Sequence, residues 1–215
     1  MSNLKSANLM IAGMVIIMAW LISSSLAADD DIENMIRGGD FENDGDIAQW
    51  TFEDSAASMT VDRNEAAVGD RSLFVEINEL LPDMSWEPQV HQTGHTFEGG
   101  QTYTLSAWYK AEEQRLLRMC IGQANDPWGT WLNKTFNVGT EWEEFWTTGA
   151  VPEDVEVGRI TPARNEAGFT DINYWVDDVK FYEGEYVPTE VDGEKAAVSS
   201  RSTLATTWGD VKARD

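Results

Sequence analysis

Between residues 101 and 110 the chain reads QTYTLSAWYK, which sets Tyr103, Leu105, Ala107 and Tyr109 on one side and Thr104, Ser106, Trp108 and Lys110 on the other. A period of two belongs to a β-strand, where successive side chains point to opposite faces. LLRMCIG (116–122) repeats the pattern, with Leu117, Met119 and Ile121 opposite Arg118 and Cys120. EWEEFWTTG (141–149) and NYWVDDVKFYEG (173–184) also read as strands, and Gly, Asn and Asp punctuate the intervals. No long helical stretch separates these segments. The pattern predicts an all-β domain over about residues 34–187, a sandwich or jelly roll.

The ends of the chain read differently. Lys5 precedes an uncharged apolar run, Leu9–Ile22, and Ser25-Leu26-Ala27 places small residues at a cleavage site. That run is shorter than the roughly 20 residues that cross a bilayer. Residues 1–27 are therefore expected to be a signal peptide, with an uncleaved signal anchor as the alternative. The protein is expected to be secreted, periplasmic or at the cell surface. Residues 28–33 form an acidic spacer, and the small, polar stretch 188–203 reads as a linker. The closing LATTWGDVKARD (204–215) sets Leu204, Trp208 and Val211 at helical spacing. It reads as a short amphipathic helix, as a sorting or docking segment for a cell-surface partner, or as a frayed end.

Charge narrows the partners. With 38 acidic and 15 basic residues, the net charge is −23. Such a surface repels nucleic acid and anionic membranes, so neither is an expected partner. The same argument favours neutral ligands and divalent cations over a strongly anionic polysaccharide. Cys120 is the only cysteine. With no intrachain disulfide, an exported chain must be held by its core, a metal, or both.

Five blocks, taken in order, resemble carbohydrate-binding modules of families 4, 9, 16 and 22. ENMIRGGDFENDGDIAQW (33–50) is similar to their opening Asn-hydrophobic-Gly-Asp-Phe-Glu strand, and AVGDRSLFVEI (67–77) to their Gly-x-x-Ser-Leu strand. FEGGQTYTLSAWYKA (97–111), TEWEEF (140–145) and YWVDDVKFYEG (174–184) resemble a turn-plus-strand, a Thr-x-Trp strand and a closing Asp-Asp-Val strand. The resemblance implies a jelly-roll β-sandwich of two antiparallel sheets that binds glycans.

The acid-rich GGDFENDGDIAQW (38–50) also contains a fragment of an EF-hand loop in Asp40, Glu42, Asp44 and Gly45. Position twelve of such a loop, a bidentate Glu, falls on Thr51, and neither flank has helical periodicity. The stretch is not a self-contained calcium loop. In the closing strand, alternation with Trp175, Val179 and Phe181 facing the core puts Asp177 on that apolar face. A carboxylate there needs cations or donors. Related modules join an N-terminal acid to an Asp of the last strand around one structural calcium. Transferred by resemblance, this implies Glu42 and Asp177 as side-chain ligands, carbonyls from Asp40 and Arg71, and Asp178 as a second acid. A shell of about six to eight hard oxygen donors suits Ca2+ better than zinc. Asp44 and Asp46 are left as turn-forming acids.

For the ligand face, Trp50, Trp142 and Trp175 sit in the family-like blocks and are assigned to the core. Trp86, Trp108, Trp128 and Trp131 are candidates for exposure, where an indole can stack on the C–H face of a sugar. SWEPQVH (85–91) resembles a ligand-contacting segment, which implies roles for Trp86 and Gln89. GQANDPWGTW (122–131) occupies the place of a ligand-lining strand and loop, with Gln123, Trp128 and Trp131 as candidates. Trp108, Lys110 and Arg118 lie opposite the apolar rows of their strands and are expected on the same concave surface. RITPARNEAGF (159–169) matches a segment with basic ligand contacts; Arg164 aligns, whereas a second such position falls on Ile160.

Catalysis is the first rival reading. His91 and His95 have metal-like spacing but lack the Glu of H-E-x-x-H. Glu141, Glu143 and Glu144 resemble a glycosidase carboxylate strand, without a second pair of acids to complete a cleft. A structural or adhesion module is the second rival. The favoured expectation is a non-catalytic binder of a neutral polysaccharide or oligosaccharide, with structural calcium.

Overall fold

In the computed structural model, residues 32–52, 56–80, 86–166 and 171–189 are described. The expected signal peptide and tail, and most of the spacer and linker, lie outside them. The strands are β1 (Ala57–Asp62), β2 (Ser72–Ile77), β3 (Gln89–Phe97), β4 (Thr102–Ala111), β5 (Arg115–Gln123), β6 (Thr130–Val138), β7 (Glu143–Ala150), β8 (Val155–Asn165) and β9 (Tyr174–Glu183). They form two antiparallel sheets, one ordered β1-β2-β9-β4-β7 and the other β3-β8-β5-β6. The jelly-roll expectation holds.

The core lies between the sheets, where the expected apolar rows meet. Tyr103, Leu105, Ala107 and Tyr109 of β4 face Leu117, Met119 and Ile121 of β5, all buried. Leu105, Leu117, Met119 and Ile121 each contribute about 1.5–3 kcal/mol through removal from water. The buried Tyr109 hydroxyl donates to the Pro162 carbonyl at 2.8 Å, whereas that of Tyr174 is buried without a partner. The N-terminal segment completes the first sheet along β9. Met35 N–H donates to the Phe181 carbonyl, and Val179 N–H to that of Gly39. A Cβ at Gly39 would strike the Val179 carbonyl, so the close approach requires glycine. Trp50 is buried as expected, against Phe41 with centroids 5.8 Å apart.

Register shifts occur in several strands, including β6 between Lys134 and Trp131, and those in β9 and β8 bear most on the sites. In β9 the pairing with β4 shifts by one residue between Lys180–Ser106 and Asp177–Trp108, and Asp178 has φ of 44°. The extra residue reverses the facing of the strand. Tyr174 and Val176 point inward before it, and Val179 and Phe181 after it. Trp175 is therefore not in the core, contrary to expectation. It lies half-buried on the outer face, against Phe74, and donates through Nε1 to Asp62. Asp177 shares that outer face and is nevertheless buried. The second bulge is in β8, where Val90 and Gln92 pair with Ala163 and Ile160, and Arg118 and Cys120 with Arg164 and Thr161. Pro162, which has no N–H to give a ladder, sits at the irregularity.

Candidate functional site

The outer face of β3-β8-β5-β6 carries a groove of about 570 Å³, lined by Trp86, Gln89, Trp128, Thr130, Arg159 and Arg164. That size suits a small-molecule or oligomer subsite. Strand register explains the arrangement. One rung runs Gln89, Arg164, Arg118, Thr135 across the four strands, and another runs Thr93, Arg159, Gly122, Thr130. The β8 bulge puts Arg159 and Arg164 on one face although they are five residues apart.

Trp86 and Trp128 are the exposed aromatics of the groove, at 43% and 55% accessibility. Trp128 sits on the 124–129 loop, with φ of 60° and its N–H donated to the Asn125 carbonyl at 2.7 Å. Gln123 holds this loop: its N–H donates to the Gly129 carbonyl, and its Oε1 accepts the Gly129 N–H. Gln123 thus positions Trp128. Gln89 is oriented by the buried Glu87, which accepts both its N–H and its side-chain amide.

The floor is basic. Arg118 pairs with Glu166 and donates to Thr135. Arg159 and Arg164 enter no ion pair among the described residues, and their Nε atoms are buried without a hydrogen-bond partner. The Arg159 guanidinium lies 5.9 Å from the Trp128 ring centroid. Cys120 lies among these arginines; burial pushes its thiol up, while Arg164, Arg159 and Arg118 pull it down.

The structure brings Trp86, Gln89, Arg118, Trp128 and Arg164 to this face and corrects three others. Trp108 is in the other sheet, 7% exposed, and does not line the concave surface. Lys110 is in that sheet too, paired with Glu65. Trp131 pairs with Ile121 and packs half-buried against the core. Arg159 and Thr130 were missed. Pro162 inside a strand was the available signal, because a bulge there moves Arg159 outward and Ile160 into the core.

The expected calcium residues divide. Glu42 Oε1 accepts the N–H groups of Asp70 and Arg71 at 2.7 and 3.0 Å. Asp177 Oδ2 accepts those of Ala67 and Val68 at 2.8 and 3.0 Å, and Oδ1 that of Asp178. Two distant carboxylates therefore converge on one turn. The Asp177 carboxyl is pushed up to about 7, chiefly by burial and also by the Asp178 charge, against the pull of the three N–H groups. Asp178 turns its own carboxylate to Lys180 and Thr189. Asp40 is exposed, and burial of part of its carboxyl, with Asp46 nearby, pushes it up. The Arg71 side chain goes to Asp44, which also pairs with Arg63. Among the described residues no three His, Cys, Asp or Glu side chains converge. A cation here would take two carboxylates and backbone carbonyls, and Asp177 is a buried acid of the type such a cation neutralises.

Residues 33–161 match the family model described as carbohydrate binding domain, of CBM families 4 and 9. A solved structure described as "CBM4 structure and function" is 27% identical, with a TM-score of 0.55, covering 69% of this chain and 99% of that one. A "Xylan-Binding Domain from CBM 22" is 17% identical at a TM-score of 0.52, covering 70% and 95%. The N-terminal CBM22 tandem domain from Paenibacillus barcinonensis is 14% identical at 0.53, covering 73% of this chain and 50% of that one. The latter two share the fold. Among curated proteins, nothing matches.

Proposed function

The chain belongs to the carbohydrate binding domain family of CBM families 4 and 9, and on that premise we propose that it is an exported, non-catalytic polysaccharide binder. The carrying observation is the pair of exposed indoles, Trp86 and Trp128, around a groove with a polar floor. Indoles offer flat apolar faces to sugar C–H groups, while Gln89, Thr130 and the arginines offer hydrogen bonds to hydroxyls. Export rests on the apolar run ahead of the domain.

The binding reading is favoured over catalysis by where the acids lie. Glu144 is on β7, held by Tyr186 and Thr189, away from the groove. Among the described lining residues there is no carboxylate to act as acid or base. His95 is buried against Phe181.

Calcium is part of the same proposal. Glu42 and Asp177, with carbonyls of Asp40 and Arg71, would hold it, and its contribution is charge neutralisation that ties both chain ends to the 67–71 turn. Asp178, engaged elsewhere, is the weakest of the expected ligands.

The test is retention on insoluble polysaccharides. Trp86→Ala and Trp128→Ala should each abolish retention while leaving the melting temperature within a degree or two of the parent. Retention surviving both changes sinks the groove as the binding site.

A further inference from the structure

A chain of net charge −23 places in its groove two arginines that find no acid partner among the described residues. The nearby acids are otherwise engaged. Glu166 pairs with Arg118, and both Glu87 oxygens accept from Gln89. Neutral sugar hydroxyls do not need two full cations, and a partly desolvated guanidinium without an anion is costly. Guanidinium forks match carboxylates bidentately, with hydrogen bonds about twice as strong as neutral ones.

We propose that this groove selects glycans bearing a uronic-acid carboxylate, which Arg159 and Arg164 receive while Trp86 and Trp128 stack on the adjoining rings. This deepens the carbohydrate-binding reading and rests on it. It replaces the neutral ligand expected from net charge, for a physical reason. Net charge acts through solvent, where screening limits its reach to about 8 Å at physiological ionic strength. Contacts inside the groove are made at hydrogen-bond distance and are screened much less. The surrounding acidity then discourages polyanions of continuous charge, so sparsely substituted chains fit best.

The experiment compares one glucuronic-acid-substituted xylan with the same polymer after chemical reduction of its carboxyl groups, by affinity electrophoresis. The parent protein should bind the acidic polymer at least about tenfold more tightly than the reduced one. Arg159→Gln and Arg164→Gln should each erase most of that difference, weakening binding to the acidic polymer far more than to the reduced one. Thermal melts establish that the variants are folded. Equal affinity for the two polymers overturns the carboxylate proposal and leaves the carbohydrate reading standing, provided Trp128→Ala still abolishes both. An acid preference that persists in both arginine variants also overturns it. Binding to neither polymer, nor to any neutral polysaccharide, overturns both readings together.

Discussion

Arg159 reaches the exposed ring of Trp128, with the guanidinium carbon 5.9 Å from the ring centroid, although the two residues come from β8 and from the loop before β6. An exposed cation–π contact contributes about 0.5–1 kcal/mol. Trp128→Ala is accordingly expected to cost under about 1 kcal/mol in urea unfolding while removing ligand retention. Trp108, in the opposite sheet and buried, should behave in reverse. Trp108→Ala is expected to cost about 3–5 kcal/mol. Similar unfolding midpoints for the two variants would contradict this division of roles.

Gly122 allows the 124–129 loop to lie on β5, because a Cβ there would strike the Gly129 carbonyl oxygen. Gly122→Ala should push the loop and Trp128 away. The expected stability cost is about 1–3 kcal/mol. Glycan affinity should fall about tenfold with every groove side chain intact, a loss of about 1.4 kcal/mol. Calorimetric titration measures it, and unchanged affinity would separate the loop from the site.

If Glu42 and Asp177 hold calcium, chelation should lower the melting temperature by several degrees, and calcium should restore it. Asp177→Asn should lose the response to both treatments. A scanning calorimetry trace that is identical with and without chelator removes the metal from the proposal.

His95 offers a pH test away from that turn. Burial, with Arg37 adding repulsion, pushes its imidazole from 6.5 down to about 4. The folded state therefore binds fewer protons than the unfolded chain between these values. Stability from neutral His95 is complete above about 6.5 and is lost as pH falls through about 4. At most about 3 kcal/mol is at stake. Relative to His95→Gln, the parent should lose stability over pH 6.5–4 in urea titrations; parallel profiles would contradict burial of the neutral ring.

Tyr186 stacks on Trp146, with centroids 4.0 Å apart and planes at 7°, and donates to Glu144 at 2.6 Å. Tyr186→Phe keeps the stack and removes the donor. It should cost about 1–3 kcal/mol, since burial already pushes the Glu144 carboxyl up. Guanidinium unfolding would reveal a smaller effect if Thr189 alone satisfies the acid.

Much of the architecture was legible in local pattern. Period-two rows at Tyr103–Tyr109 and Leu117–Ile121 define β4 and β5 and their inner faces, because a strand that buries one face must alternate. Acid-rich composition, a lone cysteine and family-like blocks were equally local, and the segments around Trp86, Gln89 and Arg164 pointed to the groove. What remained hidden depended on register and layer. Trp108 and Arg118 have the same outward phase on consecutive strands, yet the strands belong to different sheets, which only long-range pairing decides. Trp175 and Arg159 lie opposite to the expected face because bulges at Asp178 and Pro162 each add a residue, which reverses the phase of the side chains before it relative to those after it. Strand content and the inner rows were thus settled by the sequence itself. The basic groove inside an acidic protein, with Arg159 beside Arg164, exists only because tertiary pairing brings β3, β8, β5 and β6 edge to edge.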